Sequence, residues 1–126
     1  FIYLEGFWNN AAESLNHARE TEEYEDYIGI RFFATEVNAV MEPQNGDSYE
    51  VRVLVDEMPI AESLAGADIM WDDEGNSFIL VSEPKLYRVV DSAYFGEHEL
   101  RLSSNSQEFS LFAFTFGSYV QDIPEG

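Results

Sequence analysis

The chain has 126 residues, the size of one domain, and contains no cysteine, which excludes disulfide bonds, thiolate metal sites and thiol chemistry within it. Six Lys and Arg residues stand against 25 Asp and Glu residues, so the formal net charge is −19. This charge argues against nucleic acid and anionic membrane surfaces as partners, because both carry the same sign. The sequence has no run of about 18 apolar residues, so no direct membrane insertion is expected.

Short apolar segments separated by polar turns make up the N-terminal half of the chain. Those with strand character are, in chain order, residues 1–8, 12–18, 28–33, 37–41 and 49–55. The acidic connection over residues 19–26 has no apolar stripe at helical spacing and is predicted as a turn or a single helical turn. The junction at Thr35-Glu36 predicts either a bulge within one strand or a tight hairpin.

Two later segments carry strong turn signals. Residues 43–47 contain the Asn-Gly pair, which tolerates the positive φ of a narrow hairpin. Residues 72–77 read Asp-Asp-Glu-Gly-Asn-Ser between two apolar segments and predict a hairpin tip. Calcium binding is the alternative for this acidic loop, but the ligand spacing and terminal Glu of an EF-hand loop are missing, so a plain turn is preferred.

The stretch from residue 83 to residue 117 predicts three successive strands that end in an aromatic ladder. Leu100 and Leu102 alternate with polar neighbours, which is the period of pleated chain. Phe112, Phe114 and Phe116 also recur at every second position and are predicted to lie in the core. With about eight to ten short strands and no long helical pattern, residues 1–126 predict a single all-β domain, an antiparallel jelly-roll β-sandwich.

The residue types needed for catalysis or metal binding are poorly represented. The serines lack the strand-turn-helix context of a nucleophile elbow, and His17 and His98 are not at metal-ligand spacing. His98 is instead expected to be a satisfied core or edge residue. No metal and no cofactor is expected. A small hydrolase remains an alternative, and it would require two carboxyl groups that converge in a cleft, one of them with a raised pKa.

Carbohydrate binding requires exposed aromatic rings beside planar polar groups. The candidate residues for such contacts are, first, Glu83, Lys85, Tyr87 and Arg88 and, second, Trp8 and Trp71. The alternative for each of these aromatic rings is a place in the core, because Trp and Tyr are highly buried on average.

Five segments carry a resemblance to a known family: YIGIRFFATEVNAVMEP, YEVRVLVDEMPIA, WDDEGNSFILVSEPKLYRVVD, FGEHELRLSS and FSLFAFTFG. In this order they resemble the thioredoxin-like C-terminal domain of the DipZ family over residues 27–117. The most specific pieces are EPKLYRVV at Glu83–Val90 and AFTFG at Ala113–Gly117.

The resemblance implies a β-sandwich similar to carbohydrate-binding modules that follows a thioredoxin-like domain. It also implies that residues 1–126 are the C-terminal part of a longer extracytoplasmic or cell-envelope protein. The thioredoxin half with its Cys-x-x-Cys motif is absent from this chain, so the redox activity is not transferred to it. The sequence thus predicts a non-enzymatic accessory domain with a glycan and the adjacent thioredoxin-like domain as partners. The alternative is a structural or protein-interaction domain that packs on that neighbour, which an exposed apolar patch would favour.

Overall fold

The computed structural model of the chain describes residues 2–5, 8–10, 15–17, 26–106 and 108–117. All regular secondary structure in these ranges is β-strand. The same ranges contain no helix that is long and apolar enough to cross a membrane. The strands are β1 (Ile2–Glu5), β2 (Trp8–Asn10), β3 (Leu15–His17), β4 (Tyr27–Pro43), β5 (Tyr49–Val55), β6 (Met58–Pro59), β7 (Met70–Trp71), β8 (Ser77–Val81), β9 (Lys85–Ser103) and β10 (Phe109–Gly117).

Some predictions for the N-terminal region fall partly outside the described residues. The acidic connection predicted over residues 19–26 lies outside them except for Asp26, and the strand predicted over residues 12–18 is described only at β3.

The described strands form one antiparallel sheet with the pairing order β2-β3-β10-β4-β9-β5-β8-β7, while β1 pairs with β4 and β6 pairs with β5. The two longest strands, β4 with 17 residues and β9 with 19, lie side by side at its centre. Their register shifts between Ala34 and Glu36 and again between Val37 and Asn38. Such β-bulges bend and twist a strand. The junction at Thr35-Glu36 therefore lies within one strand, opposite the extra residues of β9 that form the bulge, and is not a hairpin.

The sheet has two arms. Arm A consists of β2, β3, β10, residues 36–43 of β4 and residues 85–91 of β9. Arm B consists of β1, residues 27–34 of β4, residues 96–103 of β9, and β5, β6, β7 and β8. The central strands β4 and β9 thus run through both arms.

The sheet curls so that the two arms face each other. The rings of Tyr49 in β5 and Phe109 in β10 lie 5.8 Å apart between centroids, although β9 and β4 separate their strands in the pairing order. The Tyr49 hydroxyl donates to the carbonyl oxygen of Glu42 at 3.0 Å and accepts from the N–H of Ser110 at 3.3 Å. Burial raises the pKa of this hydroxyl far above its usual value. Tyr49 therefore joins the two arms.

The core lies between the arms and receives side chains from both. In β5 the buried residues alternate with more exposed ones, as the sequence predicts. Full burial of an aliphatic or aromatic side chain of this size contributes about 1.5–3 kcal/mol to folding. The largest fully buried side chains are Ile28, Val37, Met41, Val51, Val53, Ile60, Ile79, Val81, Leu100, Leu102 and Phe109.

The structure confirms the predicted all-β antiparallel sandwich class and corrects two details. The stretch from residue 83 to residue 117 contains two strands, β9 and β10, and not three, because β9 continues through the bulged region beside the similarly long β4. Phe112 and Phe116 are not core residues but are 37% and 50% exposed, while Phe114 packs partly buried against the core. A bulge between Leu111 and Ala113 interrupts the alternation at this point. The jelly-roll connectivity stays a prediction.

Candidate functional site

Trp71 presents an aromatic ring at the edge of arm B, where it lies opposite Ser77 of β8. Its Nε1–H donates to the carbonyl oxygen of Ile60 at 3.1 Å, and 39% of the residue remains exposed. The Ser77 hydroxyl accepts from the N–H of Ile60 at 3.0 Å and donates to the carbonyl oxygen of Val53. The indole is therefore held in one orientation by an anchored backbone group. A ring that is fixed before binding loses little conformational entropy when a ligand stacks on it.

The acidic loop after Trp71 is a hairpin turn closed by the carboxylate of Asp72. Asp72 Oδ1 accepts from the N–H groups of Glu74 and Asn76, both at 2.9 Å, and Oδ2 accepts from Asn76 Nδ2 at 3.2 Å. These bonds, foremost the one from the Asn76 N–H, hold the pKa of Asp72 below its usual value. Both oxygens of Asp72 are thus engaged by its own turn. Within the described ranges, no group of three or more His, Cys, Asp and Glu side chains is arranged to hold a metal ion.

Lys85 and Arg88 lie on arm A, in the first half of β9. Arg88 Nη1 donates to Glu36 Oε2 at 2.9 Å, and Lys85 Nζ lies 3.9 Å from Asp68 Oδ1. Asp68 also accepts a hydrogen bond from the backbone N–H of Arg88 at 2.8 Å. The Arg88 side chain is nevertheless 57% exposed. Each cation therefore has a carboxylate partner and still reaches solvent.

A row of polar side chains extends from Arg88 across three strands of arm A. In the strand register Asn38 lies opposite Arg88, and Thr115 lies opposite Asn38. Asn38 Nδ2 donates to Glu36 Oε2 and to Thr115 Oγ1, both at 3.3 Å. We call Arg88, Glu36, Asn38 and Thr115 the polar row. Glu36, Asn38 and Thr115 were not predicted from the sequence, since their proximity depends on the register of β4, β9 and β10 and is not encoded in any local motif.

Tyr87 belongs to the core and not to the surface. It is 3% exposed, and its hydroxyl donates to the carbonyl oxygen of Glu83 at 2.8 Å and accepts from the N–H of Ser82 at 3.3 Å. Lys85 Nζ lies 4.9 Å from the centroid of its ring. Tyr87 therefore fixes the connection between β8 and β9 and leaves no open ring face for a ligand. The Glu83 side chain in that connection is exposed.

Trp8 is half-buried in arm A, at the opposite end of the pairing order from Trp71. Its ring packs edge-to-face on Phe109, with 5.5 Å between the centroids and 77° between the planes. The structure thus distributes the six candidate residues over three places: Trp8 on β2, Trp71 on β7, and the group from Glu83 to Arg88 at the start of β9.

His98 is a satisfied histidine at the edge of the core, as the sequence predicts. Its Nδ1 lies 2.7 Å from Asp56 Oδ2, and its ring centroid lies 5.7 Å from that of Phe32. Asp56 and Glu57 have φ values of 54° and 69°, the left-handed pair of a narrow hairpin turn. Asp56 Oδ1 accepts from the N–H of Glu99 at 2.9 Å. Desolvation acts to raise the pKa of Asp56, but the bonds from His98 and Glu99 outweigh it and lower that pKa.

The hydrolase alternative depends on the pKa values of the carboxyl groups. A general acid requires a raised pKa. The pKa values of Asp56, Asp72 and Glu108 are all lowered, so none of these three carboxyl groups has the raised pKa that this role requires. The exposed groups suited to contacts with a ligand are the ring of Trp71 and the guanidinium of Arg88, whereas Asn38 in the middle of the polar row is buried.

The fold of this chain is similar to that of domains in solved carbohydrate esterases. Solved structures with a similar fold include a family two carbohydrate esterase from Clostridium thermocellum in complex with cellohexaose, with a TM-score of 0.66, 16% identity, and coverage of 93% of this chain and 31% of that chain. A family two carbohydrate esterase from Cellvibrio japonicus has a TM-score of 0.65 and 17% identity, with coverage of 91% of this chain and 30% of that chain.

The chain spans less than one third of the length of these esterases, and at this identity the likeness concerns the fold alone. A search of curated protein sequences gave no match. The family model described as thioredoxin like C-terminal domain matches residues 1–117. The chain therefore belongs to the thioredoxin-like C-terminal domain family.

Proposed function

We propose that this chain is a non-catalytic accessory domain that binds carbohydrate, with Trp71 as its stacking platform. The observation that carries the proposal is the indole of Trp71, which is held by the hydrogen bond to Ile60 and is 39% exposed. The apolar C–H faces of a sugar ring pack well on such a surface. The fold shared with esterases, one of them in complex with cellohexaose, supports this proposal.

Polar groups near such a ring determine which hydroxyl groups a ligand presents. The exposed carboxylates of Asp73 and Glu74, in the turn after Trp71, accept hydrogen bonds from sugar hydroxyls in the proposed complex. Lys85 and Arg88, together with Glu83, form a second proposed contact surface, where Arg88 in the polar row offers a planar guanidinium group. Tyr87 supports this surface from the core by fixing the backbone of Glu83. Trp8 has a lesser part, since its ring already packs on Phe109.

The proposed architecture is that of the DipZ type. In it this domain follows a thioredoxin-like domain in an extracytoplasmic protein and holds that domain near a glycan. Membership of the thioredoxin-like C-terminal domain family and the segments EPKLYRVV and AFTFG support this assignment.

The two tryptophans allow a direct test of the proposal. In Trp8→Phe, Trp71 is the only tryptophan, and titration with cellohexaose or β-1,4-mannohexaose is expected to change its fluorescence. In Trp71→Phe the fluorescence of Trp8 is expected to stay constant. Calorimetry on Trp71→Ala should show at least about tenfold weaker binding, which corresponds to 1.4 kcal/mol. Leu80→Ala, which truncates an exposed side chain of β8, is the matched control. A flat response of Trp8→Phe to both oligosaccharides refutes the proposal.

A second candidate function is a structural or protein-interaction domain that packs on the adjacent thioredoxin-like domain. Met70 and Leu80 are 42% and 45% exposed, and Met70 lies opposite the half-buried Phe78 on arm B. An apolar cluster of this kind favours contact with a protein surface. In the full-length protein, Leu80→Glu would then separate the thermal unfolding of the two domains into two transitions. A single unchanged transition speaks against this function.

A further inference from the structure

We propose that the glycan bound at Trp71 is uncharged, and that carboxylated glycans of the same length and linkage are rejected. The inference rests on the proposed function and adds the chemical class of the ligand to it. Its basis is the distribution of charge around the site and over the whole domain.

An anionic ligand needs a cationic group whose charge is not already balanced. Each cation within the described ranges has a carboxylate as its neighbour, either in an ion pair or close enough to act on it electrostatically. The pairs are Arg31 with Asp56, Arg52 with Asp72, Lys85 with Asp68, Arg88 with Glu36, and Arg101 with Glu57 and Glu99. Arg19, the sixth cation of the sequence, lies outside those ranges. A uronate that approached any of these cations would therefore also meet a carboxylate.

The immediate surroundings of Trp71 add repulsion. Asp72, Asp73 and Glu74 follow it directly, and all three are exposed. The turn's own hydrogen bonds, first among them the one from the Asn76 N–H, lower the pKa of Asp72 and keep this carboxylate ionised. A sugar ring stacked on Trp71 therefore lies beside fixed negative charge. Hydroxyl groups of a sugar are favourable beside these carboxylates, because the carboxylates accept hydrogen bonds from them. A carboxylate on the sugar has no proton to donate and is repelled by the like charge.

The charge of the whole domain acts in the same direction. A net charge of −19 produces a negative potential that lowers the local concentration of polyanions. A uronate hexamer carries six negative charges, so the effect accumulates along the ligand. Screening by salt weakens this repulsion, because the Debye length falls from about 10 Å at 0.1 M to about 4 Å at 0.5 M ionic strength. Stacking on Trp71 depends far less on salt.

Matched oligosaccharides test the inference on the intact domain. Cellohexaose is compared with its C6-carboxylated counterpart, and β-1,4-mannohexaose with the β-1,4-mannuronate hexamer, in calorimetric titrations at 20 mM and 500 mM NaCl. In each oligosaccharide pair whose neutral member binds, the carboxylated member is expected to bind at least about tenfold more weakly at 20 mM NaCl. At 500 mM NaCl the difference in affinity between the neutral and the carboxylated member should fall to about threefold or less.

Two double variants distinguish the effect of the charges next to Trp71 from the effect of charges elsewhere on the domain. Asp73→Asn with Glu74→Gln removes two charges next to Trp71 and is expected to reduce the discrimination by at least about twofold. Glu50→Gln with Glu97→Gln removes the same charge from exposed positions on β5 and β9 and should change it less. Equal affinity for the neutral and carboxylated members at 20 mM NaCl overturns the inference and leaves the proposed function intact. Failure of both neutral oligosaccharides to bind overturns the proposed function, and the inference with it.

Discussion

The central strands and the end of β10 carry the same apolar alternation in very different surroundings. In β4 and β9 the inward residues, such as Ile28 and Leu102, are completely buried between the two arms. In β10, burial ends at Leu111, and Phe112 and Phe116 are exposed. The difference teaches that apolar alternation in the sequence does not by itself bury a side chain, because in β10 a bulge between Leu111 and Ala113 interrupts the alternation of the strand.

The largest expected change in stability comes from truncating a buried residue of the central strands, and an exposed residue of β10 provides the comparison. Leu102→Ala removes a fully buried side chain that lies in register with Ile28 and Val53. It is expected to lower the free energy of unfolding by about 3 kcal/mol, because it leaves a cavity. Phe116→Ala, at a half-exposed position, should lower it by less than about 1 kcal/mol. Urea denaturation measures both. Similar losses would contradict the contrast between the two regions.

The close approach of the loop around Gly66 to β9 offers a second way to test the central strands. A Cβ at Gly66 would lie 2.5 Å from the carbonyl carbon and oxygen of Arg88, which are backbone atoms, and the Gly66 N–H donates to Val89 O at 2.9 Å. Gly66→Ala is expected to cost about 2 kcal/mol through this overlap. Gly46→Ala, where φ is +94° but the space is open, should cost about 1 kcal/mol. Thermal denaturation that ranks the two variants in the reverse order would contradict this account.

Ser77 connects the core to the candidate site. Ser77→Ala leaves the buried N–H of Ile60 without its hydrogen-bond partner, and it is expected to cost about 1–2 kcal/mol. Because Ile60 also holds the Trp71 indole, the emission maximum of Trp71 in a Trp8→Phe background should shift as well. Ser82→Ala at an exposed position is the control and should alter neither value. An unchanged spectrum would show that Ile60 does not depend on Ser77 to orient the ring.

The smallest effect is expected at the turn between β4 and β5 and depends on pH. Glu108 accepts hydrogen bonds from the Asn45 N–H at 2.8 Å, from Asn45 Nδ2 at 3.0 Å and from the Asp47 N–H at 3.3 Å. Although desolvation acts to raise its pKa, these bonds from Asn45 and Asp47 lower it. The stabilisation is therefore present above the ordinary Glu pKa of about 4.3, and it is lost as the pH falls through the lowered folded-state value.

Glu108→Gln removes this titration while keeping the size of the side chain. The stability advantage of the wild type over Glu108→Gln, about 1 kcal/mol at pH 7, should shrink as the pH falls from 5 to 3. Denaturant titrations at several pH values measure it. A difference that does not change with pH would contradict the role of the ionised carboxylate.

Local sequence patterns predicted the strands and turns well, because they depend on neighbouring residues. The alternation of Tyr49, Val51 and Val53 defined the buried face of β5, and the Asn45-Gly46 pair marked the turn. The continuity of β9 was not predicted, since a bulge opposite a long partner strand depends on pairing between distant segments.

The candidate site was predictable only in its residue types. Trp71 was identified from chemistry, but the hydrogen bond to Ile60 that fixes its ring depends on the packing of β6, β7 and β8. Glu36, Asn38 and Thr115 meet Arg88 through the register of three strands, which no local motif contains. Tyr87 has polar neighbours in sequence, yet alternation within β9 places it inside the core.

The passage of β4 and β9 through both arms has a consequence for cooperativity. An arm that opened alone would have to separate from the other within β4 and β9, because both strands continue through the two arms, and it would break the hydrogen bonds of Tyr49 that join the arms. The two arms are therefore expected to unfold as a single unit. Amide protons of β4 in either arm would exchange with solvent only through global opening, while those of short peripheral strands such as β7 would exchange through local fraying.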